Sequence, residues 1–335
     1  MTSARPVFGT LRSVETIQPS KRMRARIEEV ARKTARLIGF LAPEEGHTLS
    51  ALEHVRLLRS NRPLRMTAVL YDPSIVIVCQ GRKRGFLGDE VYLYDAFNYL
   101  VLSLPLPFFS ETEATIDEPL LAISLRLDGA VLADLLLAIE RGGAELRAQP
   151  RGMLSTPMDE SLADATHRLV TALMHPLEAQ VMGPSILREI YFRVLLGPHG
   201  GALRTALNHQ GGFGRIASAL LRIQADFASK LSVSDLAREV HLSVPAFHAH
   251  FKEVTHKSPL QYLKAVRLHQ ARLLMIRDGV TAAHAAAQVG YAGSSQFGRE
   301  FKRFFGRSPL EEVRCMKQPL TLSPRKELTR YEVAL

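Results

Sequence analysis

The hydrophobic pattern changes period along the chain. Between Glu28 and Ile38 apolar positions recur at helical spacing and predict an amphipathic helix. The wider Arg/Lys-rich stretch Lys21–Ile38 has the composition of a transit peptide. Glu28 and Glu29 inside it favour an ordinary surface helix. His54–Arg65 is polar and arginine-rich and reads as a connection. From Met66 the texture is β: "TAVLYDPSIVIVCQ", "DEVYLYDAFNYLVLSLPLPFF" and "EPLLAISLRL" are rich in Val, Ile, Tyr, Leu and Phe. Asp72-Pro73, the cluster Gly81–Gly85 and Gly88-Asp89 punctuate them as turns. Closely spaced strands over 66–128 predict a small barrel or sandwich. From Gly129 the period lengthens again. Helices are expected over Ala130–Glu140, Asp159–Met174, Pro184–Leu196 and Leu203–Asn208, together about 130–208. Ser185–Leu196 is apolar enough to pack between subunits or domains. A glycine-rich run then marks a domain boundary near Gly211–Gly214.

Beyond that run the chain repeats itself. Phe247, Phe251, Lys252, Ser258, Pro259 and Leu260 recur fifty residues later as Phe297, Phe301, Lys302, Ser308, Pro309 and Leu310. Upstream, at an offset of forty-nine, Ala237 pairs with Ala286 and Val240 with Val289. Each copy reads as short helix, tight turn, longer helix, over about 234–255 and 281–304. Ser234, Ser243 and Ser294 are the expected caps, with Pro245 in a first turn where a missing N–H costs little. On a helix Phe297, Phe301 and Phe304 form one stripe, with Phe305 at its edge. Ser295, Arg299, Lys302 and Arg303 point the other way. Between the copies "SPLQYLKAVRLHQARLLMIRDG" predicts a helix capped by Ser258 and ended at Asp278-Gly279. Its length, roughly 28 Å, compares with about 34 Å for one DNA turn. That favours duplex DNA over A-form RNA, whose major groove is too narrow for a helix.

Charge sharpens this picture. Of the net +10, residues 213–317 carry sixteen Lys/Arg against eight Asp/Glu, whereas 51–212 carry fifteen against eighteen. A basic module attached to a near-neutral one fits a polyanion partner. Cys79 and Cys315 are the only cysteines, so neither a disulfide framework nor a cysteine-based zinc site is expected, and a reducing, cytoplasmic location is. The N-terminus has no apolar core of signal-peptide length, and no run of eighteen apolar residues predicts a membrane span.

"SVSDLAREVHLS", "FKEVTHKSPLQYLKAVRLHQARLLM" and above all "VGYAGSSQFGREFKRFFGRSP" resemble the AraC/XylS family of bacterial transcription regulators across about 213–317. "YDPSIVIVCQGRKRGFLGDEVYLYDAFNYLVLSLPLP" and "MGPSILREIYFRVLLGPHG" resemble, more weakly, the N-terminal domain of one branch of it. The resemblance implies an α+β chain. Residues 1–27 would form an extension, expected to be disordered. A regulatory or dimerisation domain would occupy 28–212, a cupin-like β-barrel with flanking helices. An all-α domain of two helix-turn-helix motifs joined by a long helix would occupy 213–317, and a tail 318–335. It implies a sequence-specific regulator of transcription controlled by a small-molecule effector. Double-stranded DNA is the expected partner, with RNA polymerase if the protein activates, and a homodimer through the N-terminal domain.

Carried residue by residue, the family's base-contact positions fall on Ser294, Ser295, Gln296 and Arg299 in the second motif, with Gly298 a gap. In the first motif they fall on Pro245, His248 and Ala249, of which only His248 offers a hydrogen bond. Lys252, Lys302 and Arg303 are the expected phosphate contacts. Arg267 and Arg272 read equally as structural ion pairs or phosphate contacts. Tyr71, Tyr92, Tyr94 and Tyr99 are candidate effector-lining residues, or a filled barrel core. "GRKRG" (81–85) reads as a basic hairpin tip, with an acidic-effector site the alternative. Cys79 reads as a buried apolar residue or a redox sensor. A non-specific architectural DNA binder is one alternative function. A cupin-type enzyme is another, but none of the twelve histidines falls within 66–128, and no GxSxG elbow or P-loop occurs. No cofactor and no metal are expected.

Overall fold

A computed structural model describes residues 12–13, 20–143, 150–207 and 211–317. The tail and most of the first nineteen residues lie outside that set, as does Asn208. The chain forms two compact units that divide after His269. The first contains β1 (Arg12–Ser13), α1 (Lys21–Leu41), β2 (Gly46–Leu49), β3 (Val55–Ser60), β4 (Leu64–Leu70), β5 (Ser74–Gln80) and β6 (Arg82–Leu87). It continues with β7 (Glu90–Tyr94), β8 (Asn98–Leu102), β9 (Pro107–Glu113), β10 (Leu120–Arg126), α2 (Gly129–Arg141), β11 (Met153–Pro157), α3 (Glu160–Ala172) and α4 (Pro176–Leu196). Then come α5 (Gly200–Leu207), α6 (Gly211–Ala225), α7 (Val233–Glu239), α8 (Val244–Thr255) and the first half of α9 (Pro259–Arg277). The second unit holds the rest of α9 with α10 (Ala282–Gln288), α11 (Ser294–Phe305) and α12 (Pro309–Lys317).

Two sheets form the β-rich part, in the orders β1-β7-β6-β9-β4 and β11-β8-β5-β10-β3-β2. Strand alternation gives the second sheet two buried faces. Ile75, Ile77 and Cys79 of β5 join Ile27 and Ile38 of α1 and residues of α2–α4 in one core. Val76 and Val78 point the other way, into a second core with Tyr92, Tyr94 and Phe108 of the first sheet. The architecture is α+β, as expected.

Several boundaries differ from the sequence reading, each for a physical reason. Helix α1 begins at Lys21, capped by Ser20, whose Oγ accepts from Met23 N at 3.4 Å. Residues 21–27 therefore belong to the fold and not to an extension. Met23 and Ile27 continue the apolar stripe, which the surrounding cations obscure. Apart from the short β1, the barrel strands begin at Gly46 and not at 66, and His54–Arg65 is largely strand. Val55 and Leu57 face inward while Arg56 is exposed, an alternation hidden by the arginines. His47 consequently lies on a barrel strand. β11 interrupts the helical region and pairs with β8. Helix α4 starts at Pro176, eight residues early, and carries Pro184 internally. The glycine-rich Gly211–Gly214 is the first turn of α6, with Phe213 and Gly214 buried.

The second core does not stop at the barrel. Phe213, Ile216, Leu220, Phe247, Phe251 and Tyr262 of α6, α8 and α9 extend it. The Tyr262 hydroxyl donates to the Pro105 carbonyl at 2.5 Å. Among the described residues no helix is long and apolar enough to cross a membrane, and no group of three His, Cys, Asp or Glu is placed to hold a metal.

Cys79 is buried, and desolvation pushes its thiol up to about 12. A thiol-specific disulfide reagent at neutral pH should therefore modify Cys315 alone in the native protein and both cysteines in denaturant. Native modification of Cys79, identified with a Cys79→Ser variant, would restore the redox-sensor reading.

Candidate nucleic-acid interface

The two helix pairs, α7–α8 and α10–α11, repeat not only residues but local geometry. At the tight turn of the first pair His241 takes a left-handed conformation (φ 54°), and Leu242 N donates to Ala237 O at 2.9 Å. In the second pair Gly290 holds the equivalent place (φ 84°), and Tyr291 N donates to Ala286 O at the same 2.9 Å. Both longer helices end in a left-handed cap, His256 and Gly306, whose N–H groups donate to Lys252 O and Lys302 O at 2.8 Å. The helices that follow share one start. Ser258 and Gln261 bond reciprocally at 3.0 and 3.3 Å, and Ser308 and Glu311 do so at 2.8 and 3.4 Å. These are capping boxes fifty residues apart.

Two of the expected N-caps move. Ser232, not Ser234, caps α7, accepting from Asp235 N at 3.0 Å. Gly293, not Ser294, precedes α11 and makes no side-chain cap bond. Ser294 is the first helical residue, and no cap side chain covers the first amides of α11. Ser243 caps α8 as expected.

In the second unit Phe297 and Phe301 are fully buried, with ring centroids 5.4 Å apart, and Tyr291 and Phe305 extend the stack. Arg272 lies over Phe305, at 5.1 Å from the ring centroid, and pairs with buried Glu312 at 2.8 Å. It is a structural arginine, as is Arg267, which donates to the carbonyls of Phe227 and Ser229 at 2.7 and 2.8 Å. The opposite face of α11 carries Ser294, Ser295, Gln296, Arg299, Lys302 and Arg303, all exposed. Among the described residues Arg299, Lys302 and Arg303 make no ion pair. Gln296 Nε2 donates to Glu300 at 3.3 Å, and Tyr291 OH donates to the same carboxylate at 2.9 Å. A face of unpaired cations beside uncapped helix amides is suited to phosphate and base edges.

The first pair presents less. Phe247 and Phe251 are buried in the same way. The exposed face of α8 offers Pro245, His248, Ala249 and Lys252, of which His248 and Lys252 have polar side chains.

The four tyrosines do not converge. Tyr94 OH and Ser110 Oγ lie 3.1 Å apart in the inner core, and Tyr71 packs edge-on to Phe108 there. Tyr92 is in the same core and bonds Glu90. Tyr99 belongs to the other core, on the helix-covered face, and is removed from the group. "GRKRG" is not a hairpin tip. Arg82–Leu87 is strand β6 within its sheet, paired with β7 and β9, and its alternation sends Lys83 inward between exposed Arg82 and Arg84. Glycine at both ends suggested a turn, whereas the period-two signal lies in the strand partners.

Residues 51–202 match the family model described as the AraC-type transcriptional regulator N-terminus, and 236–314 match a helix-turn-helix domain. Similar curated proteins include the HTH-type transcriptional activator RhaS of Escherichia fergusonii, 29% identical over 157 residues, covering 46% of this chain and 55% of that one. The HTH-type transcriptional regulator AlkR of Acinetobacter baylyi is 32% identical over 105 residues, 31% of this chain and 33% of that one. The chain thus spans about half, or less, of the curated relatives it matches. Unsaturated fatty acid bound ToxT from Vibrio cholerae shares the fold, with a TM-score of 0.56 at 14% identity over 81% of this chain and 96% of that one.

Gly298 sits mid-helix on α11, and a Cβ built there meets nothing within 4 Å. Gly298→Ala should therefore stabilise the protein by about 0.5–1 kcal/mol, because alanine loses less backbone entropy in a helix. Urea unfolding with an unchanged m-value would check it.

Proposed function

We propose that this chain, an AraC/XylS-type regulator by the two family models it matches, is a sequence-specific DNA-binding regulator of transcription. The observation that carries this reading is the exposed, ion-pair-free face of α11. In the site it describes, Arg299 reads guanine, Ser294, Ser295 and Gln296 contact neighbouring base edges, and Lys302 and Arg303 hold phosphates. His248 and Lys252 of α8 add one polar base contact and one phosphate contact. The first motif thus chiefly positions the protein while the second reads sequence. Residues 213–317 form the DNA-binding domain and 21–212, with the whole of α1, the regulatory domain. The working compartment is the cytoplasm.

A small-molecule effector acting on the barrel is supported by the family model over 51–202 and by a fold neighbour named as fatty acid bound. Tyr71, Tyr92 and Tyr94 are the aromatic candidates to line its site. The exposed apolar side chains Leu177, Val181, Met182 and Phe192 on α4 support a homodimer through the regulatory domain. RNA polymerase is a partner if the protein activates. The relatives are regulators, and this reading requires no enzymatic step.

The test is titration onto duplexes selected from the genome and onto scrambled copies, at stated salt. Arg299→Ala should lose roughly 5- to 100-fold of the discrimination, the value of one bidentate arginine–guanine pair. Lys302→Ala should weaken binding to all duplexes alike and reduce the slope of log affinity against log salt by about one. A wild-type protein that prefers no selected duplex over its scrambled copy would leave only the architectural reading.

A further inference from the structure

The amide of an exposed glutamine ordinarily turns freely, and which face it shows decides which base it accepts. On α11 that freedom is removed. Gln296 Nε2 donates to Glu300 Oε1 at 3.3 Å, one helical turn on, and Tyr291 OH donates to Glu300 Oε2 at 2.9 Å. The Tyr291 ring is itself held edge-on to Phe297, with centroids 5.3 Å apart, and Phe297 is 1% exposed. A chain of contacts therefore runs from the core, through Tyr291 and Glu300, to a side chain on the exposed face.

An ionised carboxylate only accepts, so the amide atom turned to Glu300 is the nitrogen. Turning the amide over would set its carbonyl oxygen against a carboxylate oxygen, lone pair to lone pair. Gln296 Oε1 is thus directed away from Glu300, and among the described residues no donor of the chain occupies it. In the major groove adenine N6 and cytosine N4 are donors, whereas guanine N7 and O6 and thymine O4 only accept. A freely turning glutamine meets either kind, but a held one offers an acceptor. The remaining amide hydrogen fits the same choice, because a glutamine that accepts from adenine N6 donates to N7 of the same base.

The first motif is an internal control. In the register of the repeat, Leu242, Ala246 and His250 stand where the second motif has Tyr291, Gln296 and Glu300. The three members are missing together, in the copy that has no amide to orient.

We infer that Gln296 reads a base through its exocyclic amino group, adenine or cytosine on the contacted strand, and that Glu300 and Tyr291 are positioning residues that set this choice. This deepens the regulator reading and rests on it, since without base readout by α11 there is no choice to set.

The probes are duplexes selected from a randomised library by the full chain, the best of them then varied one base pair at a time. The position whose discrimination Gln296→Ala abolishes is the contacted one. There the amino group is removed chemically, with purine in place of adenine or a cytosine analogue without its N4 amine. The removal should weaken wild-type binding about 2- to 12-fold, the value of one hydrogen bond, and leave binding by Gln296→Ala unchanged. Glu300→Ala should bring the preference for this base pair over its reversal close to unity, while the guanine preference set by Arg299 persists. A carboxylate that served only helix stability would lower binding to all duplexes alike and leave the preference untouched. Tyr291→Phe keeps the ring on Phe297 and should loosen the preference in the same direction by less. Should Glu300→Ala not fold, Tyr291→Phe must still loosen it. The inference is overturned if removing the amino group is neutral in wild type, if removing the partner base's carbonyl oxygen has that effect instead, or if Glu300→Ala keeps the preference. Selected duplexes with no position that depends on Gln296 sink this inference alone. A wild type that selects no duplex over scrambled copies sinks the regulator reading and the inference with it.

Discussion

Two phenylalanines one helical turn apart decide what each recognition helix can present. Phe247 and Phe251 on α8, and Phe297 and Phe301 on α11, are buried almost completely. Each pair contributes several kcal/mol of apolar burial, at about 1.5–3 kcal/mol per side chain. Because the buried edge is fixed so firmly, the opposite edge is free of any packing duty. On α11 it is filled with hydroxyls, an amide and cations. On α8 it holds Pro245 and Ala249 among others. The same scaffold therefore carries two surfaces of different chemical capacity, and the asymmetry follows from side chains alone.

The local geometry underlines how much of this is backbone and how little is residue identity. His241 and His256 occupy left-handed positions that glycine fills in the second copy, at Gly290 and Gly306. A left-handed residue with a side chain costs roughly 1–2 kcal/mol. The first copy bears this twice and keeps the same turn and cap hydrogen bonds. Packing and hydrogen bonding outweigh local preference here, which is the behaviour expected of helices held by tertiary contacts.

The helix-turn-helix pairs were legible because their signals are local: phenylalanines at helical spacing, the cap at Ser243, and a duplication that makes each copy evidence for the other. The barrel was legible in kind but not in extent. Arg56 and Arg59 masked the alternation of β3, and the arginines around Met23 and Ile27 masked the first turns of α1. A glycine-rich run suggested a break where α6 starts, since in close packing a missing side chain is as useful as a flexible backbone. Lys83 stands in a stretch with glycine at both ends and so carries a turn signature, whereas its environment is set by β7 and β9, strands whose register no single stretch of sequence declares. Composition alone does not separate Tyr99 from Tyr92 and Tyr94. Tyr99 lies on the opposite face because it belongs to the strand after the chain turns at Asp95 and Asn98.

Charge pairing separates surfaces that serve stability from those kept for a partner. In the N-terminal part arginines are largely committed within the fold. Arg168 and Arg193 share Glu189, Arg188 meets Asp134, and Arg82 and Arg84 meet the acids of β9 and its neighbours. Surface pairs of this kind contribute little individually, but they cancel the field of the cations they occupy. Arg299, Lys302 and Arg303 make no such ion pair among the described residues, so positive charge stands on the face of α11 that an external polyanion can reach.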